Sequence, residues 1–358
     1  MATASNSAEQ GKGRKWLTYL LKYGVPLLVT ILLCKLLFDG VDMGEMWNII
    51  STQCRFEWIA LALAISIFSH IFRAMRWGIQ LKALGVRATL FELTLSIFGT
   101  YAVNLVLPRL GELWRTGYVA KRSEAPFPTV FGSMVGDRLA DTVTVALLTL
   151  LTFGLASGHM SQYLGENSAT YEKWLALIQS PWLWAGIVAC IALTVAFFRW
   201  HTDNRTVVKI QGFAKGIWQG FAVIARMKGK GLWLLLTLCI WGCYFSQLYV
   251  AFYAFGFTEE ILARYGIIAA LVTFTLSSLS MGVPSNGGIG PWQWSVIFAL
   301  GLYGLARNEA LAFANLVMGC QTLLLIALGV FTFACIAIQG KRRNKTDNNT
   351  KHDITCQK

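Results

Sequence analysis

The stretch Leu105-Val-Leu-Pro-Arg-Leu-Gly-Glu-Leu-Trp-Arg115 interrupts a long apolar sequence with a proline, a glycine and three charges. Pro108 has no backbone N–H and its ring clashes with the preceding turn, so a helix that arrives through Val106 should end there. Gly111 allows the backbone to turn or to approach a neighbouring helix closely. The stretch therefore predicts a helix break inside an otherwise apolar region.

The three charges of this stretch predict a polar site. Arg109, Glu112 and Arg115 follow the proline at spacings of three. A helix that restarts after the break would therefore place all three on one face. Near the hydrocarbon each charge costs about 2.5–3.5 kcal/mol on insertion scales, so such groups persist mainly where they pair or line a wet cavity.

The composition indicates an all-α polytopic membrane protein. The chain has 358 residues, of which 55% are hydrophobic and 14% charged, and its mean hydropathy is +0.53. The net charge of +13 gathers in short connectors and at the two ends, as the positive-inside rule expects, which argues against nucleic acid as a partner. The eight cysteines lie mostly in apolar runs without a C-x-x-C or Cys/His cluster, so neither disulfides nor a metal site are expected.

Apolar segments and the charges between them predict the topology. We expect six full spans, at 16–38, 58–77, 129–156, 182–198, 232–255 and 311–338. Shorter apolar segments form two re-entrant hairpins, and counting each hairpin as one brings the total to eight apolar segments. The first hairpin contains 90–107 before the first break, and the second contains 265–283 and 292–305 around a second break. The cytoplasmic side is marked by basic residues, namely Arg73, Arg76, Lys82, Arg87, the loop 199–230 and residues 341–343. Both termini are therefore expected in the cytoplasm.

A weak internal repeat divides the membrane domain into two halves. The second break, Val283-Pro-Ser-Asn-Gly287, repeats the apolar-Pro-x-x-Gly pattern of Leu107-Pro-Arg-Leu-Gly111. Because the connector charges place the two breaks on opposite faces, we expect inverted repeats. The expected parts of the chain are a tail 1–15, a single membrane domain 16–338 and a tail 339–358. Within the domain we expect a first half 58–156, a linking span and basic loop 157–231, and a second half 232–338. Eight plain spans with two proline kinks are the alternative, and they also leave both termini inside.

A cluster of charges begins the long apolar helix after the first break. Asp141 follows Arg138 by three residues and Asp137 by four, so all three should crowd one side of that helix. One interpretation is a buried ion-pair network that braces the first hairpin. The other, compatible with it, is a cavity for an anion lined by Arg138 with Arg109 and Arg115, since the planar guanidinium binds phosphate through two hydrogen bonds.

The second break offers backbone N–H groups instead of charges. A half-helix that begins at Pro291 would direct its first N–H groups and its dipole at an anion. The candidate residues of this loop are Asn286, Gly287, Gly288 and Gly290. A plain tight turn is the alternative.

The basic loop 199–230 carries apolar residues at helical spacing. These are Val207, Ile210, Phe213, Ile217 and Phe221. An amphipathic helix on the anionic inner leaflet and a solvated linker helix both fit this pattern.

No enzyme is predicted, because no hydrolase or transferase constellation is visible and no catalytic residue is assigned. No cofactor is expected either. Of the four histidines, His70 lies on a predicted span, where we expect a hydrogen-bonded interior side chain.

Three motifs in this order resemble the flippase-like membrane domain family, which includes the membrane region of lysylphosphatidylglycerol synthases. They are Asn104-Leu-Val-Leu-Pro-Arg-Leu-Gly-Glu-Leu-Trp-Arg115, Asp137-Arg138-x-x-Asp141 and Pro284-x-x-Gly-Gly-Ile-Gly290. The resemblance implies a lipid-translocating role, with these polar positions as its site. The first motif is one residue shorter than the Pro-x-Arg-x-Gly-Glu of the synthases. The chain after Ile338 is too short for their aminoacyl-transferase domain, so we do not expect synthesis of aminoacylated lipid.

The expected function is therefore a flippase of the bacterial inner membrane that moves an anionic or modified phospholipid, head group first. Arg109, Arg115 and Arg138 would contact the phosphate of the head group, and the three carboxylates would position them. Translocation of a polyprenyl-phosphate carrier, an intramembrane enzyme of lipid-linked sugar metabolism and a non-transporting scaffold are the alternatives. The sequence leaves the oligomeric state open.

Overall fold

The computed structural model describes residues 43–107, 109–164 and 226–356, together with positions 181, 212, 218, 222 and 224. This part of the chain is helical and contains no strand, as predicted. Its helices are α1 Met43–Gln53, α2 Phe56–Ala83, α3 Leu90–Val106, α4 Leu110–Arg122, α5 Phe127–Leu164, α6 Lys230–Ala251, α7 Gly256–Tyr265, α8 Ile267–Ser280, α9 Pro291–Leu302 and α10 Arg307–Cys356.

Within the described residues, four stretches are long and apolar enough to cross a membrane. They are Phe56–Ala83, Phe127–Leu155, Lys230–Ala254 and Arg307–Gln339. They correspond to four of the six predicted full spans, while the predicted spans 16–38 and 182–198 lie outside the described residues. The bent pair α7–α8 counts as a fifth crossing if it forms a single span. The expected total of eight apolar segments therefore stays a prediction.

The first break lies where the proline predicts it. Helix α3 ends at Val106 and α4 begins at Leu110. Leu107 is extended, with φ −127° and ψ 102°, which is the conformation that a following proline imposes. The two helices then run back along each other, because Arg122 at the end of α4 donates from Nε to Glu92 Oε1 near the start of α3 at 2.6 Å. They therefore form a helical hairpin.

The second break agrees with the prediction at one end and differs at the other. Helix α9 begins at Pro291, as expected. The predicted segment 265–283, however, is preceded by the short helix α7, which meets α8 at an angle of 111°. Gly266 makes this bend with φ +65°, a conformation that side chains with a Cβ rarely adopt. A single glycine in apolar sequence was too weak a signal to predict it.

Helix packing repeats between the two halves. Helices α2, α3, α4 and α5 of the first half correspond to α6, α8, α9 and α10 of the second, and α3 packs on α10 as α8 packs on α5. The first helices of the two sets, α2 and α6, run antiparallel. Arg76, late in α2, contacts Thr237 early in α6, whereas Arg55 at the start of α2 bonds to Ala254 just beyond the end of α6. Antiparallel equivalent helices are what inverted halves require.

Two apolar clusters form the core. The larger joins α1, the start of α2, α6, α7, α8, α9 and α10, and the smaller joins α2 to α5. Helix α2 takes part in both clusters, yet much of its buried face is polar. These buried polar residues are Ser66, Ser69, His70, Arg73, Arg76 and Gln80. They position the candidate site.

Candidate functional site

Two aspartates of α5 pair with two arginines of α2. The carboxylate of Asp141 lies 3.0 Å from Arg73 Nη2 and 2.8 Å from Arg76 Nη2. Asp137, one turn earlier on α5, places Oδ1 2.6 Å from the same Nη2 atom of Arg76. Arg76 and Asp137 are fully buried and the other two nearly so. The helical spacing therefore predicted correctly that the aspartates share one side of α5.

Helix α4 adds two further charges to this network. Arg115 Nη2 is 3.5 Å from Asp137 Oδ2, and its guanidinium lies over the ring of Trp77 at 4.5 Å. Glu112 Oε1 is 3.4 Å from Arg138 Nη2 on α5. The ion-pair network therefore joins α2, α4 and α5, which confirms that these charges brace the first hairpin.

The network carries more positive than negative charge. Its members are the guanidinium groups of Arg73, Arg76, Arg115 and Arg138 and the carboxylates of Glu112, Asp137 and Asp141. Among the described residues, these four cations and three anions give the network a net charge of +1. Arg115 is fully buried, and none of its three side-chain nitrogens makes a hydrogen bond to the described residues. Such a group is costly to bury unless an anion approaches it.

Arg138 is the arginine of this network that is open to the surroundings. Its side chain is 36% exposed, against 4% or less for the side chains of Arg73, Arg76 and Arg115. It is also only loosely paired, since Nη1 lies 3.8 Å from Asp141 Oδ2. An anion that reaches the network would therefore meet Arg138 first.

Asn104 fixes the tip of the first hairpin. Its Oδ1 accepts a hydrogen bond from the Gly111 backbone N–H at 2.8 Å, and its Nδ2 lies 3.4 Å from Glu112 Oε2. Gly111 itself packs against α3 so closely that an added Cβ would clash with the Thr100 carbonyl and with Asn104. The predicted close approach at Gly111 is therefore confirmed, and Asn104 reaches the network through Glu112.

The structure does not bring Arg109 together with Arg115 and Arg138, so the prediction that it shares a face with Glu112 and Arg115 is wrong. Arg109 precedes α4 in the left-handed conformation, with φ +61°, so its side chain does not follow the helical periodicity. Instead, its Nη2 donates to the Gly282 carbonyl at 2.6 Å.

The two breaks meet each other in the structure. Besides the bond from Arg109 to Gly282, Gly287 lies against Leu105, where an added Cβ would clash with the leucine side chain. The N–H groups of Ile289 and Gly290 are already bound, to the Asn286 carbonyl at 3.1 Å and to Gln293 Oε1 at 2.8 Å. These two donors are therefore not free for an anion. Asn286, Gly287, Gly288 and Gly290 form a loop that faces the first break.

Sequence reasoning misses Arg73 and Arg76 as members of the site, because basic residues near the end of a predicted span are typical markers of the cytoplasmic side. Both are buried within α2, whereas Lys82 and Arg87 at the end of that helix are exposed. The available signal was spacing: Arg73 and Arg76 are three residues apart and lie well before the helix end. The prediction for His70 is confirmed in part: the side chain is buried in the interior, but neither ring nitrogen has a hydrogen-bond partner among the described residues.

The fold and the site together define a helical polytopic membrane protein with an arginine-rich ion-pair network beside a broken helix. A family model described as the lysylphosphatidylglycerol synthase TM region matches residues 24–329, and the chain belongs to this family. The resemblance inferred from the three motifs is thereby confirmed.

Two curated proteins are similar to the chain. It is 32% identical over 339 residues to Glycosyltransferase AglD of Haloferax volcanii, a match that covers 85% of this chain and 53% of the relative. It is 28% identical over 101 residues to a UPF0104 membrane protein of Methanocaldococcus jannaschii, which covers 27% of this chain and 30% of that protein. The chain thus spans about half the length of AglD. No solved structure matches it.

Proposed function

We propose that this protein translocates an anionic or modified phospholipid across the inner membrane of a bacterial cell, head group first. The observation that carries the proposal is the surplus positive charge of the ion-pair network among the described residues, in which the Arg115 guanidinium makes no hydrogen bond and Arg138 is partly exposed. A phosphodiester bears one negative charge, so its arrival would neutralise the network. Charged residues inside a membrane domain persist where they pair with each other or line a substrate pathway. In this proposal the ion-pair network does both.

Arginine is suited to this role. Its planar guanidinium binds two phosphate oxygens at once and stays charged in apolar surroundings. Arg138 would contact the phosphate first and Arg115 would complete the site, while Glu112, Asp137 and Asp141 keep the guanidiniums apart and oriented. Arg109 and the second break would act at a distance from the phosphate, where the two halves meet.

The similarity to a protein named as a glycosyltransferase favours a second candidate. In this candidate the lipid is a polyprenyl-phosphate carrier, either translocated or used in glycosyl transfer. The two candidates share the phosphate, so the ion-pair network serves both. They differ in the hydrocarbon chain and in what the phosphate carries.

The transport proposal is tested with purified protein in liposomes that contain head-group-labelled phospholipids. We expect Arg138→Gln to remain folded but to slow translocation about tenfold or more, because a charge-assisted hydrogen bond contributes roughly 1.5–3 kcal/mol. The measurement is the rate at which inner-leaflet label becomes accessible to an impermeant quencher. Arg138→Lys keeps the charge and loses the planar fork. Its translocation rate should therefore lie between those of the wild type and of Arg138→Gln.

Arg264→Gln is the matched control, because Arg264 is an exposed arginine that lies over Tyr265 at 5.3 Å and belongs to another region. It should translocate lipid like the wild type. If Arg138→Gln and Arg264→Gln transport equally fast, the network does not handle the lipid and the proposal fails.

The proposed orientation is tested by cysteine labelling. In a chain freed of its own cysteines, Glu45→Cys should react with an impermeant maleimide from outside intact cells, whereas Lys82→Cys should react only after the membrane is opened. Glu45 lies on α1, which precedes α2, whereas Lys82 lies in the last turn of α2, and both are exposed. Labelling of Lys82→Cys in intact cells would contradict the assignment of this end to the cytoplasm.

A further inference from the structure

The polar face of α2 is longer than the ion-pair network. It runs from Ser66 to Gln80, which is about 21 Å at 1.5 Å per residue, against a hydrocarbon thickness of about 30 Å. The part from Arg73 onwards contains both arginines that pair with the aspartates. The part from Ser66 to His70 contains no charged residue. We call this second part, with the side chains that face it, the neutral section.

Two glutamines from other helices form a hydrogen-bonded chain that ends at Ser66 in the neutral section. Gln247 of α6 donates from Nε2 to Gln321 Oε1 at 3.0 Å, and Gln321 of α10 donates from Nε2 to Ser66 Oγ at 2.9 Å. Ser66 is buried, but both glutamines are partly exposed. The amide groups therefore form a polar surface that a ligand can reach, in the middle of three spanning helices.

His70, one turn further along α2, is buried, and neither ring nitrogen has a hydrogen-bond partner in the part of the chain that the structure describes. Its ring lies 4.6 Å from that of Tyr101, whose hydroxyl is 3.4 Å from the Tyr244 hydroxyl. A buried polar atom without a partner is costly in a membrane domain, where no bulk water can replace it. A ligand that brings both donors and acceptors would remove this cost.

The neutral section is continuous with the ion-pair network through Arg73. The Arg73 guanidinium pairs with Asp141 on one side and lies 5.8 Å from the ring centre of Tyr244 on the other. A head group whose phosphate lies at the network would therefore place its next chemical group beside Tyr244, Tyr101 and the glutamines.

The chemistry of the neutral section selects the kind of group that fits there. Amides, hydroxyls and an imidazole can each donate and accept, which matches the hydroxyl groups of a sugar or polyol. Among the described residues named in its contacts none is a carboxylate, so an ammonium group would find no counter-charge. Arg73, the member of the ion-pair network that borders this section, is already paired with Asp141.

We propose that the neutral section binds the hydroxyl-rich part of a lipid head group, a hexosyl or polyol unit that is attached to the phosphate held by the ion-pair network. The inference rests on the proposed function, because it assumes that the phosphate lies at the network. It adds the substrate class: phosphodiester lipids with an uncharged, hydroxyl-bearing head.

The test compares lipids that differ only in this head. Phosphatidylinositol and phosphatidylmethanol are both phosphodiesters with one negative charge, and a hexosyl phosphopolyprenol and polyprenyl methyl phosphate, in which a methyl group replaces the hexosyl unit, form a second such pair. Binding to the full chain in nanodiscs is measured by native mass spectrometry. We expect the hydroxyl-bearing member of a pair to bind about tenfold more tightly, since it gains hydrogen bonds that the methyl ester lacks. The pair that shows the larger preference identifies the source of the lipid.

The variant Ser66→Ala/Gln247→Leu/Gln321→Leu removes the hydrogen-bonding relay as a unit and leaves no partner orphaned within it. It should lose the tenfold preference and bind the methyl ester as the wild type does. Gln339→Leu is the matched control on α10, since Gln339 accepts a hydrogen bond from Arg122 far from the neutral section. It should keep the preference. If the triple variant does not fold, Gln247→Leu, which replaces one partly exposed side chain, should still reduce the preference.

Each outcome decides the inference. A wild-type protein that binds both members of each pair equally well overturns it and leaves the phosphate site intact. A wild-type protein that binds none of the four lipids overturns it together with the proposed function. If the preference persists in the triple variant, Ser66, Gln247 and Gln321 do not bind the head group and the inference is overturned. The same holds for Gln247→Leu if that variant is measured instead.

Discussion

Replacing Asp137 with asparagine is expected to lower the free energy of unfolding by about 3–5 kcal/mol, because it leaves buried guanidiniums without their counter-charge. Asp137 is fully buried and pairs with Arg76 at 2.6 Å and with Arg115 at 3.5 Å. Without it, the surplus of the network rises from one positive charge to two. The measurement is the shift of the unfolding transition in a denaturant titration of the purified protein in detergent.

Glu259→Gln is the control for this prediction, since it makes the same chemical change in an exposed pair. Glu259 pairs with Arg55, and the two side chains are 45% and 40% exposed, so its loss should cost about 0–1 kcal/mol. Adding Arg115→Met to Asp137→Asn should recover part of the stability, because it returns the surplus to one charge. Equal effects of Asp137→Asn and Glu259→Gln would show that the network does not hold the helices together.

Asp137 is a cleaner choice for this test than the pair Arg138 and Asp141. Asp141 lies closer to Arg73 and Arg76, at 3.0 and 2.8 Å, than to Arg138, at 3.8 Å. Neutralising Arg138 and Asp141 together would therefore disturb the partners of two other arginines. A loss of transport in that double variant would not separate a structural role from a binding role.

Gly111→Ala is expected to lower the free energy of unfolding by about 1–3 kcal/mol, the usual effect of adding a methyl group to a closely packed contact. The new Cβ would clash with the backbone carbonyl of Thr100, which belongs to α3 and has no room to move as a side chain would. The hairpin of α3 and α4 would have to open, and the Asn104 bond to the Gly111 N–H would lengthen. The same denaturant titration measures the effect.

Gly117→Ala is the matched control, because it makes the same substitution two turns later on α4. An added Cβ at Gly117 meets no atom within 4 Å, so the substitution should stabilise the helix by about 0.4–1 kcal/mol. The two variants should thus move stability in opposite directions. If both stabilise the protein, α3 and α4 are further apart than the structure shows.

Local sequence was enough to predict the class of protein and the places where helices break. The apolar segments predicted a helical membrane domain, and Pro108 and Pro291 predicted the end of α3 and the start of α9. The shared side of Asp137 and Asp141 followed from helical periodicity alone. These features depend on residues within about one helical turn of each other, so a sequence pattern contains all the information that they require.

Only the tertiary structure decided which charges meet. Asp141 is 65 positions from Arg76 in the chain, and their contact requires α2 and α5 to pack side by side. Arg109 reaches Gly282, 173 positions away, because its left-handed backbone turns it out of the helical register. The meeting of Ser66 with Gln247 and Gln321 needs three helices at once. Long-range contacts of this kind depend on how helices pack, and the period of any one helix does not encode the partner that it will meet.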